Sequence, residues 1–226
     1  MIKFVLFDLD DTILDFKKAE AVAVSKTLAE QGITPNEAIV SRYSEINAYM
    51  WKLLEKGELT RQQVLVNRFA CLFEELGVKC DAKETKYKYE KNLSVGHYFI
   101  DNALEILEHF SKKYNLYLVS NGTLSVQDGR LNSAGIRKYF KGIFISEQLG
   151  FVKPQKEFFD AVFSKIPDFH KEEAIIIGDS LSSDIKGGNN AEIKTCWFNP
   201  KHAENQGDIH IDYEIKSLKD LYEILI

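Results

Sequence analysis

Short runs of β-forming apolar residues recur along this chain, and most are followed by a segment of helical periodicity. That alternation limits the fold more than any other feature of the sequence. The runs are Ile2–Phe7 (polar only at Lys3), Leu116–Val119, Ile143–Ile145, Ala174–Ile177 and Thr195–Phe198, with Tyr213–Ile215 as a short sixth candidate. Apolar runs this short suit strands buried on both faces. Strands that alternate with helices build βαβ units and a parallel sheet.

The first run is separated from the others by about 80 residues, too many for a plain loop. Their pattern is helical. Ala21, Val24 and Leu28 share one face, and Gln31-Gly32 is a stop signal. Pro35-Asn36-Glu37 opens a second helix carrying Tyr43, Ile46, Tyr49, Met50, Leu53 and Leu54, closed by Lys56-Gly57. Thr60 caps a third with Val64, Phe69, Leu72, Phe73 and Leu76, ended by Gly77; a fourth runs from Asp81 to Leu93. Ser217 caps a last helix over Leu218–Ile224. The expected fold class is α/β: a parallel Rossmann-like sheet with helices on both faces, made of residues 1–16 and 97–226, plus an inserted helical domain over 17–96. Hinges are expected near Asp15–Lys17 and Ser94–His97, with Gly96 suited to the second.

Composition narrows the function. Of 226 residues, 45% are hydrophobic and 28% charged, enough to build a core and avoid disorder. The net charge is −5 with no Lys/Arg block, which disfavours a duplex nucleic-acid partner. Cys71, Cys80 and Cys196 match no zinc or redox spacing and read as reduced thiols. No apolar run nears the ~18 residues of a membrane span. A cytoplasmic protein with no membrane partner, a monomer or homodimer, is expected.

Ligands of open parallel sheets bind beyond the carboxyl ends of the strands. Strand one is followed there by Asp8, Asp10, Asp11 and Thr12, and the second by Ser120, Asn121 and Gly122. The third is followed, after a short loop, by Lys153-Pro154, and the fourth by Gly178, Asp179, Ser180 and Asp184. Singly, each has an ordinary explanation: Asp and Ser cap helices, Ser-Asn-Gly is good turn chemistry, and a lysine before proline is usually solvated. Together, four strands deliver acids, a hydroxyl and a lysine to one edge.

Asp8 and Asp10 fall on the same side of an extended chain, so they repel unless a cation neutralises them or one stays protonated. Asp8, Asp10 and Asp179, without neighbouring His or Cys, suit a hard, oxygen-seeking ion such as Mg²⁺. Such a site can screen a phosphoryl group while one carboxylate attacks phosphorus and a second shuttles the leaving-group proton. Ser120 and the backbone N–H groups of Asn121 and Gly122 are candidate phosphoryl contacts.

The ordered motifs Asp8-Leu9-Asp10-Asp11-Thr12, Val119-Ser120-Asn121-Gly122, Val152-Lys153-Pro154 and Gly178-Asp179-Ser180-Leu181-Ser182-Ser183-Asp184 resemble those of the haloacid dehalogenase-like phosphohydrolase superfamily. The insertion falls where that superfamily carries its class-one cap, a specificity domain. The resemblance implies a nucleophilic Asp8 and Asp10 as general acid/base. Ser120 and Lys153 would stabilise the transferring phosphoryl group. Mg²⁺ would lie on Asp8, the Asp10 carbonyl and Asp179, with Asp184 orienting Lys153 or a metal-bound water. Thr12 would support the first motif's turn, and it is grouped with Asn121 and Gly122 on the substrate side. Asp11 is expected to be structural or exposed, and not a catalyst. The carboxyl at position 10 sets the chain apart from the dehalogenase branch, whose halide leaving group needs no proton, but not from phosphomutases.

Phe7-Asp8-Leu9-Asp10-Asp11-Thr12-Ile13-Leu14-Asp15-Phe16, Gly57–Arg61 with Arg68-Phe69 in the insertion, Gly150–Phe159, Ile175–Gly188 and Thr195–Pro200 further resemble the YjjG-type bacterial 5′-nucleotidases. That branch implies nucleoside monophosphates, pyrimidine or non-standard, as substrates. Cap residues that could meet a base are Asn47, Trp51, Arg61 and Arg68, with Phe16 at the hinge; Trp51 in the cap core and Arg68 in a surface ion pair are the plainer expectations. The alternatives are a sugar-phosphate or broad phosphatase, a phosphomutase, a phosphoreceiver-like module and a partner-binding descendant. A receiver is about half this long and takes its phosphorylated Asp from a later strand.

Overall fold

The computed structural model describes residues 1–207 and 209–225. Six strands form one parallel sheet: β1 Phe4–Phe7, β2 Asn115–Ser120, β3 Gly142–Ile145, β4 Ala174–Gly178, β5 Lys194–Phe198 and β6 Tyr213–Ile215. Their order is β3-β2-β1-β4-β5-β6, and every pairing is parallel. The chain moves outward from β1 to β2 and β3, then returns to place β4 on the other side of β1. This reversal is the switch point at which such sheets bind ligands.

The helices are α1 Phe16–Glu30, α2 Glu37–Glu55, α3 Arg61–Leu76, α4 Ala82–Leu93, α5 Ala103–Phe110, α6 Leu124–Ala134, α7 Ser146–Leu149, α8 Lys156–Phe163, α9 Lys186–Ala191 and α10 Leu221–Ile224. The chain divides into two compact units. One holds Met1–Asp15, Phe99–Leu124 and Ala134–Ile226; the other holds Phe16–Tyr98 and Ser125–Ser133. The second unit therefore takes in a stretch of α6 that the sequence places with the sheet.

In the α/β unit, β1 is buried at all four positions, as its unbroken apolar run requires. Phe4 and Leu6 join Tyr117, Val119, Phe144, Ala174 and Ile176 under Phe158, Phe159 and Val162 of α8. Each such side chain contributes about 1.5–3 kcal/mol relative to leaving it in water. Strand side chains alternate, so Val5 and Phe7 serve the opposite face. Helix α5 buries Ala103, Ile106, Leu107 and Phe110. Ser217 caps the C-terminal turn as expected, with Asp220 completing a capping box, but the segment splits into a 3-10 turn, Leu218–Asp220, and α10.

In the helical unit, Asn36, Thr60 and Asp81 cap α2, α3 and α4 through side-chain oxygens, and Gly77 ends α3 at φ 64°. Helix α1 packs on α4 and α2 on α3. Tyr43, Phe69 and Tyr89 meet with ring centroids 5.1–5.5 Å apart. The sequence expectation fails at two points. Tyr49 is 60% exposed, and α1 turns Glu20 inward while Ala21 is only half-buried. Glu20 is buried because it has partners: its carboxylate accepts from Asn47 Nδ2 and Ser44 Oγ, both at 2.6 Å. Among the described residues, no helix is long and apolar enough to cross a membrane.

Candidate active site

The site lies at the carboxyl ends of β1, β2 and β4, three adjacent strands. Asp8 directly follows β1, and its backbone N–H donates to the carbonyl of Ile177 on β4 at 2.9 Å. From there the chain turns tightly: Ile13 and Leu14 N–H both return to the Leu9 carbonyl, and Asp11 N–H donates to Leu14 O at 2.8 Å. Asp11 takes the left-handed conformation, φ 57°, which aspartate tolerates better than most residues.

Lys153 sits at the centre and is 1% exposed. Its ammonium has three donors and places all three: Asp8 Oδ1 at 2.6 Å, Asp184 Oδ1 at 2.7 Å and the Val119 carbonyl at 2.9 Å. The surface reading of this lysine is thus overturned by three buried acceptors. Asn121 places its backbone, accepting from Lys153 N–H at 2.8 Å and donating to Lys153 O at 2.9 Å. The Lys153-Pro154 bond is cis.

Asp184 is delivered by a π-helical turn, Leu181–Ile185, which precedes α9; the sequence suggests a plain helix from Ser183. Ser180 Oγ accepts from Ser183 N–H, and Asp184 Oδ2 accepts from Ser180 N–H, so Asp184 is drawn inside and the first turn widens. Such π turns are frequent at functional sites. Gly178 makes room: a Cβ there would overlap the Asp184 carboxylate.

Carboxylate oxygens of Asp8, Asp179 and Asp184 lie within 4.8 Å of one another. The Asp10 side chain is not one of the three, in keeping with a ligand role for its backbone carbonyl, and Asp184, expected to orient Lys153, joins Asp8 and Asp179. Asp179 is held by its backbone. Its N–H donates to Thr12 Oγ1 at 3.1 Å, and its carbonyl accepts from Trp197 Nε1 at 2.8 Å. Thr12 is fully buried, and this bond makes it a tie between the loops after β1 and β4, in line with its expected support of the first motif's turn. Trp197 lies in the Thr195–Pro200 stretch that carries the resemblance, but the sequence assigns it no role; its position on β5 beside β4 is the signal for this tie. Ser120 is 1% exposed, and its Oγ accepts from Gly122 N–H at 3.1 Å.

The electrostatics fit a divalent cation. Burial pushes the Asp8 carboxyl up to about 8, with Asp184 and Asp10 adding to the rise and Lys153 opposing it. Burial, then Asp8, Asp184 and Asp11, hold the Asp179 carboxyl well above its ordinary range. Burial alone lowers the Lys153 ammonium, but Asp184 and Asp8 reverse this and leave it raised. If all three carboxyls were ionised they would exceed the one ammonium by two charges, so burial favours protons on Asp8 and Asp179 unless a cation takes their place, and an all-oxygen donor set suits Mg²⁺.

In the helical unit, Asn47 links the buried residues. Its Oδ1 accepts from Arg68 Nη1 at 2.9 Å and Trp51 Nε1 at 3.1 Å, while its Nδ2 holds Glu20. Arg68 is 3% exposed and lies 4.7 Å from the Tyr89 ring centroid, so it is no surface ion-pair partner. Trp51 is half-buried under Arg61, 5.5 Å from the ring centroid, and is not in the core of this unit.

A family model for haloacid dehalogenase-like hydrolases matches residues 5–198. YfnB of Bacillus subtilis is 42% identical over 98% of this chain and 94% of its own length. The pyrimidine 5′-nucleotidase PynA of Streptococcus pneumoniae is 39% identical over 99% of this chain and 94% of its own length. The pyrimidine 5′-nucleotidase YjjG of Escherichia coli is 26% identical over 98% of this chain and 97% of its own length. The crystal structure of YfnB bound to magnesium matches with a TM-score of 0.95 at 42% identity, covering 99% of this chain and 98% of that one. The order of the sheet, the Lys153-centred cluster and these matches lead to one assignment: this chain belongs to the haloacid dehalogenase-like hydrolase family.

Proposed function

We propose that this chain is a Mg²⁺-dependent phosphomonoester hydrolase that works through an aspartyl phosphate and acts as a 5′-nucleotidase on nucleoside monophosphates. The observation that carries the reading is the buried Lys153 ammonium bonded to both Asp8 and Asp184, with Asp179 completing a carboxylate cluster. Pyrimidine nucleotides are the favoured class because PynA and YjjG carry that name over nearly the whole alignment.

Asp8 attacks phosphorus, forming an acyl phosphate as the bond to the ester oxygen breaks. Asp10 gives its proton to that leaving oxygen, and then takes a proton from the water that hydrolyses the acyl phosphate and frees Asp8. Lys153 and Ser120 stabilise the charge on the phosphoryl oxygens. Asp8, Asp179 and Asp184 are the side chains that would hold Mg²⁺, which supplies charge neutralisation at the phosphoryl group. The helical unit serves as the specificity element. The YfnB crystal structure is described as revealing interdomain movement, and we extend that behaviour to the two units of this chain.

The test is phosphate release from a panel of nucleoside monophosphates, sugar phosphates and small phosphoesters with Mg²⁺. Release is expected to favour pyrimidine nucleotides and to vanish in Asp8→Asn and on chelation. Release persisting in Asp8→Asn overturns the nucleophile. Sugar phosphates turned over as well as nucleotides overturn the nucleotidase reading and leave the phosphatase.

A further inference from the structure

Helix α6 begins and ends in one compact unit, with Leu124 and Ala134, and belongs to the other in between. Leu124 belongs to the α/β unit and Ser125–Ser133 to the helical unit. Leu124 is anchored by its backbone N–H, which donates to Glu147 Oε2 at 2.7 Å. Directly before it runs the Ser120-Asn121-Gly122 loop.

The rest of α6 is fastened to both segments by which the chain enters and leaves the helical unit. Arg130 is fully buried. Its Nε donates to the Gly96 carbonyl at 3.0 Å, its Nη1 donates to Gln127 Oε1 at 3.0 Å, and its guanidinium lies 5.6 Å from the Phe16 ring centroid. Ser133 Oγ donates to Val95 O at 3.2 Å and lies 2.6 Å from His97 Nδ1. Gly129 is an independent sign. Glycine in a helix interior forfeits helix propensity. Here a Cβ would come within 2.7 Å of both Cβ and the carbonyl oxygen of Ser94, so only glycine permits this approach. Burying a guanidinium is costly unless it is bonded, and Arg130 spends that cost on the two crossing segments.

We propose that Ser125–Ser133 travels with the helical unit, that Arg130 is the positioning residue that fastens it, and that movement of the unit is thereby transmitted along α6 to the Ser120–Gly122 loop. The boundaries at 124/125 and 133/134 fall at the first and last residues of one continuous helix, which is stiff, so neither acts as a free hinge. The displacement falls on the segments that flank the helix, the Ser120–Gly122 loop before Leu124 and Gly135 after Ala134. What the loop contacts rests on the phosphatase reading; the fastening does not.

Spin labels on unnatural amino acids at Asn132 (α6), Lys91 (α4) and Lys165 (after α8) test this by pulsed dipolar distances, with and without Mg²⁺ and inorganic phosphate. The 132–91 distance is expected to be single and constant, while 132–165 and 91–165 shift together. Arg130→Lys, which keeps the charge but loses the fork, should broaden 132–91 and lower kcat/KM for the best phosphate ester about tenfold. Gly129→Ala, which presses on Ser94, should do the same if Arg130→Lys fails to fold. The proposal is overturned if residue 132 stays fixed to 165 while 91 moves, or if all three distances are constant. It is also overturned if the variants leave 132–91 unchanged, or broaden it without changing kcat/KM. Absence of phosphate release from the unaltered protein overturns the phosphatase reading instead, and the distances still decide the fastening.

Discussion

Asn121 clasps the peptide of Lys153 from both sides, accepting from its N–H at 2.8 Å and donating to its carbonyl at 2.9 Å. A loop after β2 thereby fixes a lysine that follows α7. Asn121→Ala removes both bonds and leaves two backbone groups to find new partners, at about 1–3 kcal/mol each where buried. Steady-state kinetics should show kcat falling about 10–100-fold, the scale of losing an outer residue that orients a working group. Asn121→Asp should do no better, because its second oxygen would face the Lys153 carbonyl.

Lys153 holds two carboxylates in a buried site. Lys153→Met should destabilise the fold by about 3–5 kcal/mol in chelator, the usual cost of leaving buried charge unpaired. Mg²⁺ should restore part of that stability, and kcat should still fall about 100–1,000-fold for loss of one charge-stabilising donor. Urea melts with and without Mg²⁺, alongside turnover, check both.

The carboxyl shifts have a sign that can be measured. In the fold without added metal, Asp8 holds its proton up to about pH 8, whereas the unfolded chain releases it near 3.8. The folded state binds the extra proton in that window, so this group's stabilisation is lost as pH rises from about 4 to about 8. Protons compete with Mg²⁺ for the same oxygens, so Mg²⁺ affinity should rise over that range and binding should release protons. Calorimetry in buffers of different ionisation enthalpy, with melting curves in chelator, measures each effect.

Gly178→Ala places a methyl group against Asp184. Overpacking of this kind costs about 1–3 kcal/mol. The displaced carboxylate also serves Lys153 and the carboxylate cluster proposed to hold Mg²⁺, so Mg²⁺ affinity should fall while the spectrum of the folded protein is kept. An unchanged Mg²⁺ affinity would remove Asp184 from the ligand set.

Glu20 and Arg68 are joined through Asn47 in the helical unit. Glu20→Gln and Arg68→Met should each destabilise, and the pair together should cost less than the sum by about 0.5–3 kcal/mol, as expected for one network. Urea unfolding of the four proteins gives the coupling.

Much of the site was readable because its motifs follow strands whose apolar runs announce themselves. Asp8, Ser120 and Asp179 needed only the rule that parallel strands share one functional edge. Asp184 is an orienting residue by the family resemblance alone; the π turn that brings it among the carboxylates depends on Ser180 bonds that no local pattern specifies. Lys153 could be marked by its motif but not by its burial, since a lysine is buried only where acceptors from distant strands await it. The same reason explains Glu20 and Arg68, charged residues that periodicity assigns to solvent.

By itself the sequence determined the parallel sheet, the inserted helices with their caps, and the edge where the chemistry lies, because strand alternation, apolar period and capping are local signals. Only the tertiary structure decided which acids converge with Asp8, that Thr12 and Asn121 act as ties, and that part of α6 belongs with the inserted helices. Those outcomes depend on hydrogen bonds and close approaches between residues tens of positions apart. A linear pattern carries the residues that can make such contacts but not the geometry that chooses among them.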